Sequence, residues 1–130
     1  MIEPTEALTV IDVNSGSLTG PAEAALRTNL EAAREIARQI RLRNLGGLIV
    51  VDFISMDDAG SEESWARVLT ELERALSRDR VRVRLIGRTA AGLVEITRRR
   101  QRAALAEALT EPCAACDGTG RVATVETVAQ

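Results

Sequence analysis

Histidine, lysine and tyrosine are missing from this sequence of 130 residues, which carries only two cysteines, one tryptophan and one phenylalanine. Without histidine there is no imidazole to activate a nucleophile, to cleave RNA by paired acid and base, or to ligate a metal. Without lysine there is no Schiff base or catalytic ammonium, since all 17 basic residues are arginine. The two aromatic residues leave little for base stacking. No apolar run approaches the roughly 20 residues of a membrane helix, and the opening M-I-E-P lacks the basic region of a secretory signal. The chain therefore reads as soluble and cytoplasmic, with no membrane partner. If it is an enzyme, carboxylates and a metal ion are the apparatus that remains.

A hydrophobic fraction of 45% and a charged fraction of 28% suit one globular domain with a real core. The net charge of -2 gives no global attraction for nucleic acid, so such a partner has to be held by a local patch. Hydrophobic periodicity predicts a strand over residues 7–14, a helix over 22–43 and a nearly continuous apolar strand over 48–54. That last strand reads as central and covered on both faces. A second helix follows to about residue 78, with Trp65, Val68, Leu69, Leu72 and Leu76 as its buried stripe. Two more strands, over 80–85 and 92–97, precede a short helix over 101–109. Strand, helix, strand, helix, strand, strand indicates an α/β sheet with both faces at least partly covered.

Three groups of residues stand out. Asp12 and Asn14 share one face of the first strand, and Asp52 interrupts an otherwise apolar strand. Two acids from neighbouring strands and an amide suit a hard cation such as Mg²⁺, which takes one or two carboxylates and completes its shell with water and phosphate; strand-end aspartates also simply cap turns or meet water. Cys113 and Cys116 form a C-x-x-C, half of a four-thiolate zinc site, which in a chain with no other thiol and no histidine needs a second copy to close. A redox pair and a plain reduced pair are the rival readings, and C-x-x-C-x-G-x-G also resembles a single zinc repeat of DnaJ-type chaperones. Arg80, Arg82 and Arg84, with the run Arg98, Arg99 and Arg100, offer guanidinium groups for RNA phosphates without base readout. A solvated strand face explains the same alternation.

Taken together, E-A-L-T-V-I-D-V-N-S-G at residues 6–16, T-N-L-E-A-A-R-E-I-A-R-Q-I-R-L-R-N-L-G-G-L-I-V-V-D-F-I at 28–54, G-L-V-E-I-T-R-R-R at 92–100 and C-A-A-C-D-G-T-G at 113–120 resemble the ribonuclease E/G family. The resemblance is to its DNase I-like catalytic subdomain and runs in order over nearly the whole chain. It implies an RNase H-like mixed sheet with helices packed on it over residues 1–110, and a zinc-link tail over 111–130. It implies further a Mg²⁺-dependent endoribonuclease that cleaves single-stranded RNA, in RNA processing and decay, to 5′-phosphate and 3′-hydroxyl ends. Asp12 and Asp52 match the family's Mg²⁺ ligands, Asn14 the amide that orients the metal site, and Cys113 and Cys116 the zinc link between two protomers of a homodimer.

The sequence also departs from the family pattern. It shows no S1 domain, no 5′-end sensor and no small domain after the zinc link. The link after Gly16 is short and lacks basic residues, Ser55 stands where an acid is usual, and Ala115 replaces a commonly basic residue. Retention of Asp12, Asn14 and Asp52 together favours an active nuclease; the missing binding domains favour a non-catalytic RNA-associated or dimerisation module.

Overall fold

The computed structural model describes residues 1–14, 22–56 and 61–119. The link over 15–21 with its expected helix cap and first-turn proline, the loop over 57–60, and the chain from 120 onward lie outside the described residues. The fold is a mixed α/β sheet with helices packed on it, as the sequence predicts. Five strands, β1 (Ile2–Pro4), β2 (Thr9–Asp12), β3 (Gly47–Asp52), β4 (Val83–Arg88) and β5 (Val94–Arg98), lie in the order β1-β2-β3-β5-β4. Only β2 and β3 pair in parallel; the β1–β2, β3–β5 and β5–β4 pairs are antiparallel.

Two long helices carry the core. In α1 (Ala22–Leu42), Ala33, Ile36, Ala37 and Ile40 are buried at helical spacing, and in α2 (Ser61–Leu76) Trp65, Val68, Leu72, Ala75 and Leu76 are. They pack on Ile11, Ile49, Val51, Phe53, Val94 and Ile96, which alternation and strand register place on one face of the sheet. Both helices therefore cover the same face. The expectation that β3 is covered on both faces is corrected here: among the described residues, Leu48 and Val50 point to a helix-free face, where they are half-buried by their sheet neighbours. A run of consecutive apolar residues cannot by itself distinguish a fully covered strand from one whose second face is merely apolar.

The joints are hydrogen-bonded. α1 ends in a left-handed turn, with Asn44 at φ 50° and the Leu45 amide donating to the Ile40 carbonyl. Gly47 has φ 81°, and the Arg100 side chain lies so close that a Cβ there would sit 2.7 Å from its guanidinium. β1 went unread in the sequence, β4 begins at Val83 rather than residue 80, and the last helix, α3, is confined to Leu105–Leu109.

Candidate active face

Asp12 and Asp52 are register partners on the parallel pair β2 and β3, so their side chains leave the same face at the same ends of adjacent strands. Their flanking residues dictate this. Ile11 is 3% exposed, and Val51 and Phe53 are 0% and 4% exposed, while Asp52 itself is exposed. Slipping either strand by one residue would expose these apolar groups, each worth about 1.5–3 kcal/mol buried, and bury a carboxylate instead. The Val13 amide donates to the Asp52 carbonyl at 2.9 Å, and the Asp12 amide to the Met1 carbonyl at 2.9 Å, so the ladder extends to the two acids. Phe53 meets Trp65 edge to face, with ring centroids 6.2 Å apart, beneath the same strand end.

Asn14 lies beside the pair, its Nδ2 3.5 Å from Asp12 Oδ2. Two carboxylates and an amide are hard oxygen donors of the number and kind that Mg²⁺ takes from a protein. The described residues hold no cluster of three or more acidic, cysteine or histidine side chains.

Sequence reasoning missed Asn29. It is completely buried on α1, donates to the Ile54 carbonyl at 2.8 Å and accepts from the Ile54 amide at 3.0 Å. One side-chain amide thus replaces a missing strand partner and fixes the chain two residues past Asp52. The signal lay in the helix period, where Asn29 falls in the apolar stripe that holds Ala33 and Ile36.

The arginines separate into distinct roles. Arg98 is a correction to the expected phosphate contacts: only 4% of its side chain is exposed, and it binds Asp79 at 2.9 Å, the Asn44 side chain at 2.9 Å and the Leu45 carbonyl at 3.0 Å. Burial alone would push Asp79 up, but hydrogen bonds from Arg98 and the Val81 amide, with the charges of Arg98 and Arg41, outweigh it and hold the carboxyl below its ordinary range. Arg100 packs across Gly46 and Gly47, at the end of β3 remote from Asp52, where with Arg102 it lines a groove of about 340 Å³. Arg80 sits in the bend before β4. Arg82, Arg84 and Arg99 are exposed.

In the tail, the Cys116 amide donates to the Cys113 carbonyl at 3.3 Å and the Thr119 amide to the Cys116 carbonyl at 3.0 Å. These turns are followed by Gly118 at φ 79°. The cysteines are thiols rather than a disulfide.

The model of the ribonuclease E/G family matches residues 1–101. The chain is 47% identical to ribonuclease G of Escherichia coli strain K12 over 98% of this chain and 26% of that protein. It is 50% identical to ribonuclease E of a Synechocystis species over 94% of this chain and 18% of the relative, and 52% identical to ribonuclease E of a Nostoc species over 92% and 18%. It thus spans between 18% and 26% of the length of these relatives. The match includes both aspartate-bearing strands and the helix that joins them, and the chain belongs to the ribonuclease E/G family.

Proposed function

We propose that this chain is the catalytic part of a Mg²⁺-dependent endoribonuclease that cuts single-stranded RNA to 5′-phosphate and 3′-hydroxyl ends. The observation that carries the reading is the register pairing of Asp12 with Asp52 on one face of the sheet, in a chain whose named relatives are ribonucleases. Asp12 and Asp52 would hold the ion through carboxylate oxygens, with Asn14 orienting Asp12 from its side. When bound, Mg²⁺ supplies a water activated for attack on phosphorus and neutralises charge on the phosphate. The protein's own part is to fix the two carboxylates, through the ladder on one side and the Asn29 clamp on the other, and to bring arginines to the flanking phosphates. These 130 residues carry no histidine, so the carboxylates are the groups this part of the enzyme can supply.

The tail thiols complete the proposal. Cys113 and Cys116 would ligate a structural Zn²⁺ shared with a second copy of the chain, giving a homodimer. We place this site in the cytoplasm, and none of the described helices is long and apolar enough to cross a membrane.

The test is cleavage of an end-labelled single-stranded RNA in Mg²⁺ and in chelator, by the unaltered chain and by Asp52→Asn. Loss of a first-sphere ligand should reduce the rate at least about 100-fold, since even outer-sphere partners cost 10- to 100-fold. The urea midpoint should stay unchanged, because Asp52 is exposed. Cleavage that persists in chelator, or survives in the variant, would overturn the metal assignment.

A further inference from the structure

The helix-free face of the sheet carries more than the two aspartates. Thr97 is the register partner of Leu48, which shares its face with Val50 and Asp52, and Arg84 is the partner of Thr97. Alternation adds Arg82 and Arg99, which continue the ladder through the Arg99 amide and the Arg82 carbonyl at 3.0 Å. All three arginines are exposed and form no ion pair among the described residues.

A β-bulge makes this sorting specific. Between Leu85 and Gly87 the β4–β5 register shifts, so Arg88 emerges on the opposite side from Arg84 although their positions differ by an even step of four. Arg88 lies over the Trp65 ring at 4.9 Å and bridges Glu62 at 3.0 Å, on the helix side. Without the bulge, both would share one face.

Among the described residues, this face is therefore polarised. Glu3, Asp12, Asp52 and Glu95 occupy one part of it, by register with Val10 and Val50, while Arg82, Arg84 and Arg99 occupy the opposite corner. Between them lie Leu48, Val50 and Thr97, a low surface with no bulky aromatic, and Glu95, the partner of Val50, stands midway on the straight line from Asp52 to Arg84. From Asp52 to Arg84 the path crosses two strand spacings of about 4.8 Å and four residues of about 3.3 Å each, or about 16 Å along the diagonal. That separation exceeds what one phosphodiester spans.

Building on the ribonuclease reading, we propose that this face is the track of the RNA strand, which runs from the carboxylate pair along β3 past Val50 and Leu48, then across Thr97 of β5 to the arginine corner, leaving Glu95 to one side. The strand's sugars and bases lie over Leu48, Val50 and Thr97, and its phosphates reach Arg84, Arg82 and Arg99. Charge complementarity selects the occupant: three unpaired guanidinium groups attract a polyanion, while the acid end repels it unless a divalent cation intervenes. The recognition is of phosphate and carries no base sequence.

The experiment uses the full chain and a fluorescent oligouridylate longer than the diagonal, with anisotropy read at several salt concentrations without divalent cation, so that no cleavage is involved. The combined variant Arg82→Gln, Arg84→Gln, Arg99→Gln should weaken binding about tenfold or more and lower the slope of log affinity against log salt by about two, as expected for three phosphate contacts to a single strand. The control Arg27→Gln, Arg67→Gln, Arg78→Gln removes the same charge from exposed positions on and after the helices and should change affinity less than twofold. Equal losses in the two sets would show only bulk charge at work, and no loss in the first would mean that another protein surface covers this face; either result overturns the track. Mg²⁺-dependent cleavage by the unaltered chain is scored separately. A cleaving enzyme indifferent to the first variant keeps the nuclease and loses the track, and the reverse outcome keeps the track and loses the nuclease.

Discussion

Arg98 shows how far a single residue's role depends on what surrounds it. In the sequence it is one of five consecutive basic or polar side chains after an apolar strand, indistinguishable from Arg99 or Arg100. In the fold its strand parity turns it toward the helices, where it joins the end of α1, the turn after α2 and β5 through Asn44, Leu45 and Asp79. Removing one member of a buried pair leaves the other uncompensated, so Arg98→Met should destabilise the fold by about 3–5 kcal/mol at neutral pH. The pH dependence has a definite sign. Asp79 is held below its unfolded value of 3.8, so its contribution is present above that pH and is lost as pH falls through the lower folded value. Glu71, brought down to about 2 chiefly by Arg74 and then by Arg34, acts in the same direction between 4.5 and 2, with a small effect expected because both arginines are exposed. Urea denaturation of both proteins across this range should show the gap between them closing toward acid, because protonation relieves the stranded Asp79. A gap that stays constant would mean that Arg98 acts through packing alone.

At the scale of elements, the sequence was most legible where one physical signal acted alone. The stripe from Ala33 to Ile40 gave α1, the spacing of Trp65, Val68 and Leu72 gave α2, and strand parity put Asp12 beside Asn14 and away from Val13. Legibility failed where the deciding contact is remote. β1 is three residues long and has no period of its own; it is a strand because β2 offers an edge. The bulge at Leu85 and Gly87 is a register property of two strands, and the continuous apolar run of β3 could not reveal that both helices pack on one side. Asn29 belongs here as well, since its partner Ile54 is 25 residues away. This amide holds the exit of β3, so Asn29→Ala should leave both Ile54 backbone groups unpaired and cost about 2–4 kcal/mol. Under conditions where the variant remains folded, displacement of the neighbouring Asp52 should raise the Mg²⁺ concentration needed for half-maximal cleavage by about tenfold. A variant that loses stability but keeps its Mg²⁺ dependence would make Asn29 a structural clamp with no bearing on the carboxylates.

The molecule as a whole combines a dense α/β core with an open end that the core does not use. Leu42 at the end of α1 is 54% exposed, and Leu105 and Leu109 on α3 are 46% and 73% exposed. The Leu105 amide donates to the Arg43 carbonyl at 2.9 Å, which brings the start of α3 against the end of α1, close to Leu42 in the chain. An apolar surface near the tail is what a second protomer would cover if Cys113 and Cys116 share their ion across a two-fold axis. Four thiolates close a structural zinc site and one chain supplies two, so the metal and the exposed leucines should act on the same equilibrium. Light scattering of the reduced, zinc-replete protein is expected to give twice the chain mass. A strong chelator, or Cys113→Ser with Cys116→Ser, should return the single-chain mass, and Leu105→Ser with Leu109→Ser should weaken the dimer with zinc still present. Because the tail lies beyond β5 and its described residues supply none of the core side chains, the urea midpoint of the α/β core should hardly change when zinc is withdrawn. A dimer that survives chelation would assign the interface to apolar contact alone, and a monomer in zinc would remove the shared site.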